Sequence, residues 1–441
     1  MYGSDERVLA ELVRRAYTAH LPAGKGFLPP VVPVDHLPEE FDPYLRACAE
    51  LPSRFGGANQ SIRPWLDGLF SRHDPAATRA IDRLTWMERQ KLMTVLCTLA
   101  HAYRWEKTPP DKAAFELKHL VLPPGIEEPW SRLASLLQQP RVGSLWNMAL
   151  CNWSLASKPG SSDYSVDELM LENLRLAHGW LLPPLDSALE VFILTFVETE
   201  ARGAVVVRQG VDLVQAVADG DAGAVLYRLE RLDAAIRAMN KVFYKNIRAK
   251  LIDPASWNEY IKPIHGWGLD MGEGTLEGAS GLQLGSIQCA DAVLGIEDQT
   301  FLPRAAVESR KYMPEPHRRF LAAMDAVRPL VRWFVLELDD ALLTQRYNDC
   351  VESLRAWRQA HQKRGALYLR GSRAGPVGGT TGLAIPNGKR AVDEFQSMTQ
   401  ERIDETVRTR MQIIGGPEIS VRSGREALEA SLKGTECLAG R

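Results

Sequence analysis

The feature that most constrains this chain is helical periodicity over long stretches, with strand-like alternation nearly absent. From about Leu84 to Lys107, apolar residues recur at three- and four-residue spacing, the repeat of one helix face. Asp186 to Val207 is rich in apolar residues, which predicts a buried helix. Leu226, Leu229, Leu232, Ile236 and Met239 share one face of the stretch Ala224 to Leu251, an amphipathic helix of about seven turns. Pro316 to Leu338 and Asp340 to Leu369 continue the pattern, and Pro329 is expected to kink or split the first of them. The class that follows is mainly α: a large helical bundle with a smaller N-terminal α domain.

Three parts are expected within that class. Residues 1–140 form the smaller helical domain, with a Pro-rich arm from Leu21 to Pro43. Residues 141–410 form the large helical domain, and 411–441 a C-terminal tail. The boundary rests on Pro123, Pro124, Pro129 and Pro140. Gly-rich Arg370 to Lys389 separates two helical stretches, and a loop that long inside a compact domain is usually functional or mobile.

Charge and cysteines exclude several classes. Lys plus Arg number 53 against 55 Asp plus Glu, so no global field favours nucleic acid or a membrane surface. No run of about 18 apolar residues suggests a membrane span. Met1 to Arg15 mixes charges with apolar residues, unlike a secretory signal. Six scattered cysteines form no CxxC pair and no CxxCH, which argues against structural zinc, iron–sulfur clusters, a disulfide framework and covalent haem. A reduced, cytoplasmic setting is the simple expectation. Gly388-Lys389-Arg390 lacks the Ser or Thr of a P-loop, and Gly272 with Gly274 does not extend to GxGxxG.

A helical protein without a nucleotide motif often holds a cofactor between helices, and one neutral histidine can ligate haem iron. The nine candidates are His20, His36, His73, His101, His119, His178, His265, His317 and His361. His361 stands out because Leu354, Trp357 and His361 fall on one helix face. It reads either as a ligand beside a flat apolar wall or as a core histidine bonded to a carbonyl.

Several ordered segments then resemble the indoleamine 2,3-dioxygenase family of haem enzymes. They are Ala102-Tyr103-Arg104-Trp105-Glu106-Lys107, Asn152-Trp153, Gly278-Ala279-Ser280-Gly281 followed by Gln288 to Ile296, Tyr312-Met313-Pro314-Glu315-Pro316-His317-Arg318, Tyr347 through Arg358 to His361, and Gly378-Gly379-Thr380-Thr381-Gly382. The resemblance implies a bundle enclosing haem b, with His361 as the iron ligand. It implies an Asp291–Arg358 acid–base pair near the haem entrance and Trp267 beside the haem. Ser280 and Gly281 match the small-residue distal loop. Trp257, Lys262, Ile264, Leu145, Leu194 and Thr380 match substrate-contacting positions, with Lys262, Ser280 and His265 closest to the chemistry. The partners implied are dioxygen and tryptophan or a related indole, in a monomer or weak homo-oligomer.

The sequence also departs from the family pattern. Lys262 stands where an arginine is typical, keeping the charge but losing the planar two-pronged fit to a carboxylate. Asn258 replaces a second aromatic, and the segment is one residue shorter between Lys262 and Gly266. His265 then falls near the distal face, either as a proton-donating or oxygen-contacting group or as a contact to a propionate, backbone or solvent. Leu145 and Leu194 make that wall more apolar. Tyr312 and His317 are expected to cap or orient a helix start. The expected activity is opening of the indole pyrrole ring to an N-formylkynurenine-type product. The alternatives are a pyrrolnitrin-pathway type of rearrangement on the same haem scaffold, and a non-catalytic haem sensor.

Overall fold

A computed structural model of the chain describes residues 4–55, 61–272, 274–296, 300–369 and 389–411. The expected helices form, and tertiary packing decides where each one stops. Helix α1 spans Ser4–His20, α2 Asp42–Phe55, α3 Trp86–Trp105 and α4 Pro124–Leu137. Thr85 starts α3 through a reciprocal capping box with Glu88. The proline cluster near residue 124 begins a helix, because Pro124 at the first position has no N–H to leave unpaired.

Helix α5 is the longest, Leu185–Ala218, about 51 Å from end to end. It runs eleven residues beyond the predicted end at Val207, its buried face continuing through Val211, Leu213, Val214 and Val217. Helix α6 is Ala222–Asn246, capped by the Asp221 carboxylate, which accepts from the Ala224 amide. Helix α7 is Gly285–Val293, α8 Glu315–Ala326 and α9 Leu330–Leu338, so the chain divides at Pro329 as expected. Helix α10 is Ala341–Leu369, and α11 is Lys389–Arg408. Among the described residues no helix is long and apolar enough to cross a membrane.

Two small antiparallel ribbons were not expected. Strand β1 (Trp153–Leu155) pairs with β2 (Leu174–Leu176), and β3 (Gly266–Asp270) with β4 (Thr275–Gly278). Each is too short for period-two alternation to register. The Pro-rich arm is ordered, with Phe27, Leu28 and Phe41 fully buried.

The core has two main clusters. One joins α2, α3 and α4 to the first half of α5 and to residues 247–284, so it runs without a break past residue 140. The other packs α1 and the far half of α5 against α6 to α10. Two five-residue π-turns, Trp146–Leu150 and Trp257–Ile261, interrupt the first cluster's helical regularity. Such turns concentrate at functional sites; the first lines the cavity described next, and the second packs behind its wall through Trp257.

Candidate active site

A small apolar cavity lies where four chain segments converge. Leu145 with Met148 and Ala149 of the first π-turn forms one wall, and Phe192, Ile193 and Phe196 of α5 another. His265 and the loop Ala279-Ser280-Gly281 complete it. Gln283 joins two of these walls: its carbonyl oxygen accepts from the Leu145 amide at 2.7 Å, and its amide donates to the Gly278 carbonyl at 2.8 Å. Gly278 has φ of +111°, and a Cβ there would stand 2.2 Å from the His265 carbonyl oxygen. Only glycine permits this loop to lie so close to the histidine turn.

Each polar group in the cavity has a defined state. The Ser280 hydroxyl oxygen accepts from the Leu282 amide at 3.2 Å, which leaves its own proton to donate. His265 Nδ1 lies 2.9 Å from the Ile261 carbonyl oxygen. A carbonyl can only accept, so Nδ1 carries the proton and Nε2 presents a lone pair. Among the described residues Nε2 has no hydrogen-bond partner. Burial lowers the ring's pKa to about 4, against the raising effect of the Ile261 bond. Trp180 and Phe192 meet the ring edge to face at 5.1 and 5.3 Å. The backbone contact is one of the alternatives the sequence left open, and with Nδ1 so engaged His265 offers the cavity an acceptor at neutral pH.

Other expected residues stand behind or beside this cavity. Trp257 packs on Phe192 at 5.8 Å and on Tyr368 of α10 at 5.5 Å, so it bridges the cavity wall to the His361 helix. Lys262 Nζ sits 5.6 Å from the Trp257 ring centroid, within cation–π range. No described carboxylate pairs with it, and burial lowers its pKa to about 8. Asn258 is turned to backbone carbonyls, those of Pro254 and Tyr368. Leu194, Ile264 and Trp267 do not line the cavity. Neighbours on a helix diverge by about 100°, so Leu194 points away from the face holding Phe192 and Phe196. Trp267 is in the core against His101 and Trp130, at 4.8 and 5.7 Å. His317 is no cap; its ring packs edge-on against Phe27 and Trp146. Tyr312 hydroxyl accepts from the Glu277 amide of β4 instead of capping α8. Thr380 and its Gly-Thr loop lie outside the described residues, as does the tail from residue 412.

Helix α10 carries a second cluster of the expected residues. Leu354 and Trp357 are buried, but His361 on the same face is solvent-accessible. Phe243 of α6 and Phe395 of α11 flank its ring at 6.2 and 5.6 Å. Surrounding protein still lowers the imidazole pKa. Neither ring nitrogen has a hydrogen-bond partner among the described residues, which removes the core-histidine reading.

One turn before it, Arg358 is buried and pairs with Asp291 of α7. The other Asp291 oxygen takes Arg402 Nη2 of α11 at 2.7 Å, and Arg402 Nη1 reaches buried Glu405 at 2.8 Å. Burial opposes the Asp291 charge, but the two guanidiniums outweigh it and its pKa falls. Arg358 Nη1 remains buried without a partner. Arg402, Glu405, Phe243 and Phe395 were not foreseen from sequence, since each comes from a segment distant from α10; Gln283 was missed although it lies two residues past Gly281.

The family profile for indoleamine 2,3-dioxygenase matches residues 17–373. An indoleamine 2,3-dioxygenase of Saccharomyces cerevisiae is 26% identical over 365 residues, 76% of each chain. Indoleamine 2,3-dioxygenase 1 of Rattus norvegicus is 25% identical over 379 residues, 82% of this chain and 86% of the relative. A 6-hydroxytryptophan 2,3-dioxygenase of Fusarium equiseti is 25% identical over 382 residues, 79% and 84% respectively. Together with the helical fold, these likenesses define an oxidoreductase of the haem dioxygenase type. The chain belongs to the indoleamine 2,3-dioxygenase family.

The residues present fit the family's haem. A neutral imidazole with free nitrogens suits axial ligation. An unpartnered buried guanidinium edge one turn away suits a propionate carboxylate.

Proposed function

We propose that this chain is a cytoplasmic, haem b-dependent dioxygenase that opens the pyrrole ring of tryptophan or a related indole to an N-formylkynurenine-type product. The observation that carries this reading is the pairing of unpartnered His361 with orphaned Arg358 Nη1 on one face of α10. His361 would hold the iron and Arg358 a propionate. When bound, ferrous haem supplies the site that activates dioxygen, so both oxygen atoms enter the product without an external reductant in each turnover.

The chain's own residues do the rest. Phe192, Ile193, Phe196, Leu145 and Met148 exclude water from the indole and bury its flat surface. Trp257 shapes the rim and Lys262 holds the substrate carboxylate. Ser280 donates its hydroxyl proton toward the reacting face, and His265 Nε2 accepts from a ring N–H. The Fusarium relative's name shows that substituted tryptophans fall within the reach of family members, which supports a substrate range beyond tryptophan.

Two observations favour a second reading, a different oxidation or rearrangement of a tryptophan-derived substrate on the same scaffold. They are the free lone pair of His265 Nε2 inside the cavity and the withdrawal of Asn258 to backbone carbonyls. Reduced protein mixed with oxygen and tryptophan decides between them. A product heavier by two oxygen atoms supports ring opening. Tryptophan binding with no such product supports the second reading. Absence of a Soret band after haem reconstitution, with His361→Ala behaving as wild type, removes both.

A further inference from the structure

Helix α3 reaches across the core and takes hold of both flanks of the cavity. His101, fully buried in α3, has Nδ1 2.6 Å from the Ile264 carbonyl oxygen. Its Nε2 accepts from the Gly143 amide at 2.9 Å. Carbonyl acceptor on one side and amide donor on the other fix a single neutral tautomer, and burial keeps it neutral, with the pKa lowered to about 3. The next two side chains on this face continue the contact. Arg104 Nε donates to the Trp267 carbonyl at 3.4 Å, and Trp105 Nε1 to the Gly266 carbonyl at 3.1 Å. One helix face thus reads three carbonyls between Ile264 and Trp267.

The two arms of His101 end beside cavity residues. Ile264 immediately precedes His265, and Gly143 stands two residues before Leu145. The approach is tight: a Cβ on Gly143 would stand 2.9 Å from His101 Nε2 and 2.5 Å from Met148 Sδ. A ring of fixed width bonded at both ends sets the distance between the two walls.

We propose that His101 is a positioning residue, a rigid spacer that fixes the separation between the Leu145–Met148 wall and the His265 turn. This rests on the indole-oxidising reading above. Displacement of reacting groups by about 1 Å costs on the order of 10²-fold in rate, so a spacer of this kind acts on turnover without touching substrate.

Three variants separate the arms. Asparagine places its amide near the Nδ1 position, so His101→Asn keeps the Ile264 arm. Glutamine places its carbonyl near the Nε2 position, so His101→Gln keeps the Gly143 arm. His101→Phe fills the space and keeps neither. Two readouts are taken: kcat per bound haem and KM with tryptophan, and deuterium exchange of residues 143–150 in the haem-free protein. The expected result is roughly a hundredfold loss of kcat/KM in His101→Phe, with KM raised as well as kcat lowered, and smaller losses in the single-arm variants. Exchange at 143–150 should quicken in His101→Phe and His101→Asn and stay slow in His101→Gln. A role confined to stability would lower the thermal midpoint and leave KM unchanged, which overturns the proposal. If His101→Phe does not fold, the single-arm variants decide it: wild-type KM and kcat in both overturn it. Should wild-type protein oxidise no indole, the dioxygenase reading fails, and the exchange pattern alone then decides whether His101 spaces the walls.

Discussion

At the residue scale, Lys262 carries the most direct consequence. Its half-buried ammonium lies 5.6 Å from an indole ring with no described carboxylate paired to it, and desolvation lowers its pKa to about 8. If it holds the substrate carboxylate, binding needs the charged form. KM for tryptophan should be flat below about pH 7.5 and rise above 8, approaching tenfold per pH unit. Lys262→Arg keeps its charge throughout and should flatten that rise, which separates it from titration of the substrate amine. A wild-type KM unchanged to about pH 9.5 would remove Lys262 from substrate binding. The cavity was legible in part from sequence. Leu145, His265, Ser280 and Gly281 come together around it, whereas Leu194 and Ile264, matched to substrate-contacting positions, do not line it. Motif position locates a segment, but helix phase decides which neighbour faces the cavity. The state of His265 was illegible, because it depends on the Ile261 carbonyl one turn back.

At the element scale, helices and the break at Pro329 were readable because the 3.6-residue repeat is local information. Helix ends set by tertiary burial, such as the extra turns of α5, were less so. The π-turns carry no single residue type as a marker, and they emerged only in three dimensions. Docking of α11 was invisible too, since Arg402 meets Asp291 from 111 residues away. That contact makes a prediction. Arg402→Met leaves fully buried Glu405 without its Arg402 partner and deprives Asp291 of a cation. Removing one partner of a buried ion pair costs about 3–5 kcal/mol, measurable by denaturant titration. Exchange should rise first in α11 and α7. A loss below about 0.5 kcal/mol would mean that apolar contacts alone hold α11.

At the scale of the whole molecule, buried neutral histidines govern acid stability. Burial lowers His101 and His317 to about 3 and His265 to about 4, while in the unfolded chain each titrates near 6.5. Between those values the unfolded state binds more protons. Stability is therefore fully present above about pH 6.5 and falls as pH drops toward 4, by about 1.4 kcal/mol per pH unit for each ring. Glu200 works in the opposite sense. Burial raises its carboxyl to about 7, so its contribution is present at low pH and is lost as pH rises through 7. Three rings outweigh one carboxyl, and far-UV circular dichroism should show cooperative unfolding on acidification below about pH 5. Retention of native ellipticity at pH 4 would contradict the burial of these rings. The continuous core across residue 140 means that both flanks share in that transition.

The order of these parts along the chain has a consequence for synthesis. The cavity walls end by Gly281, but His361 follows about 80 residues later. At about 5–20 residues per second, the segments that line the cavity are made several seconds before His361. A group that needs both can therefore be held only after the later segment is made.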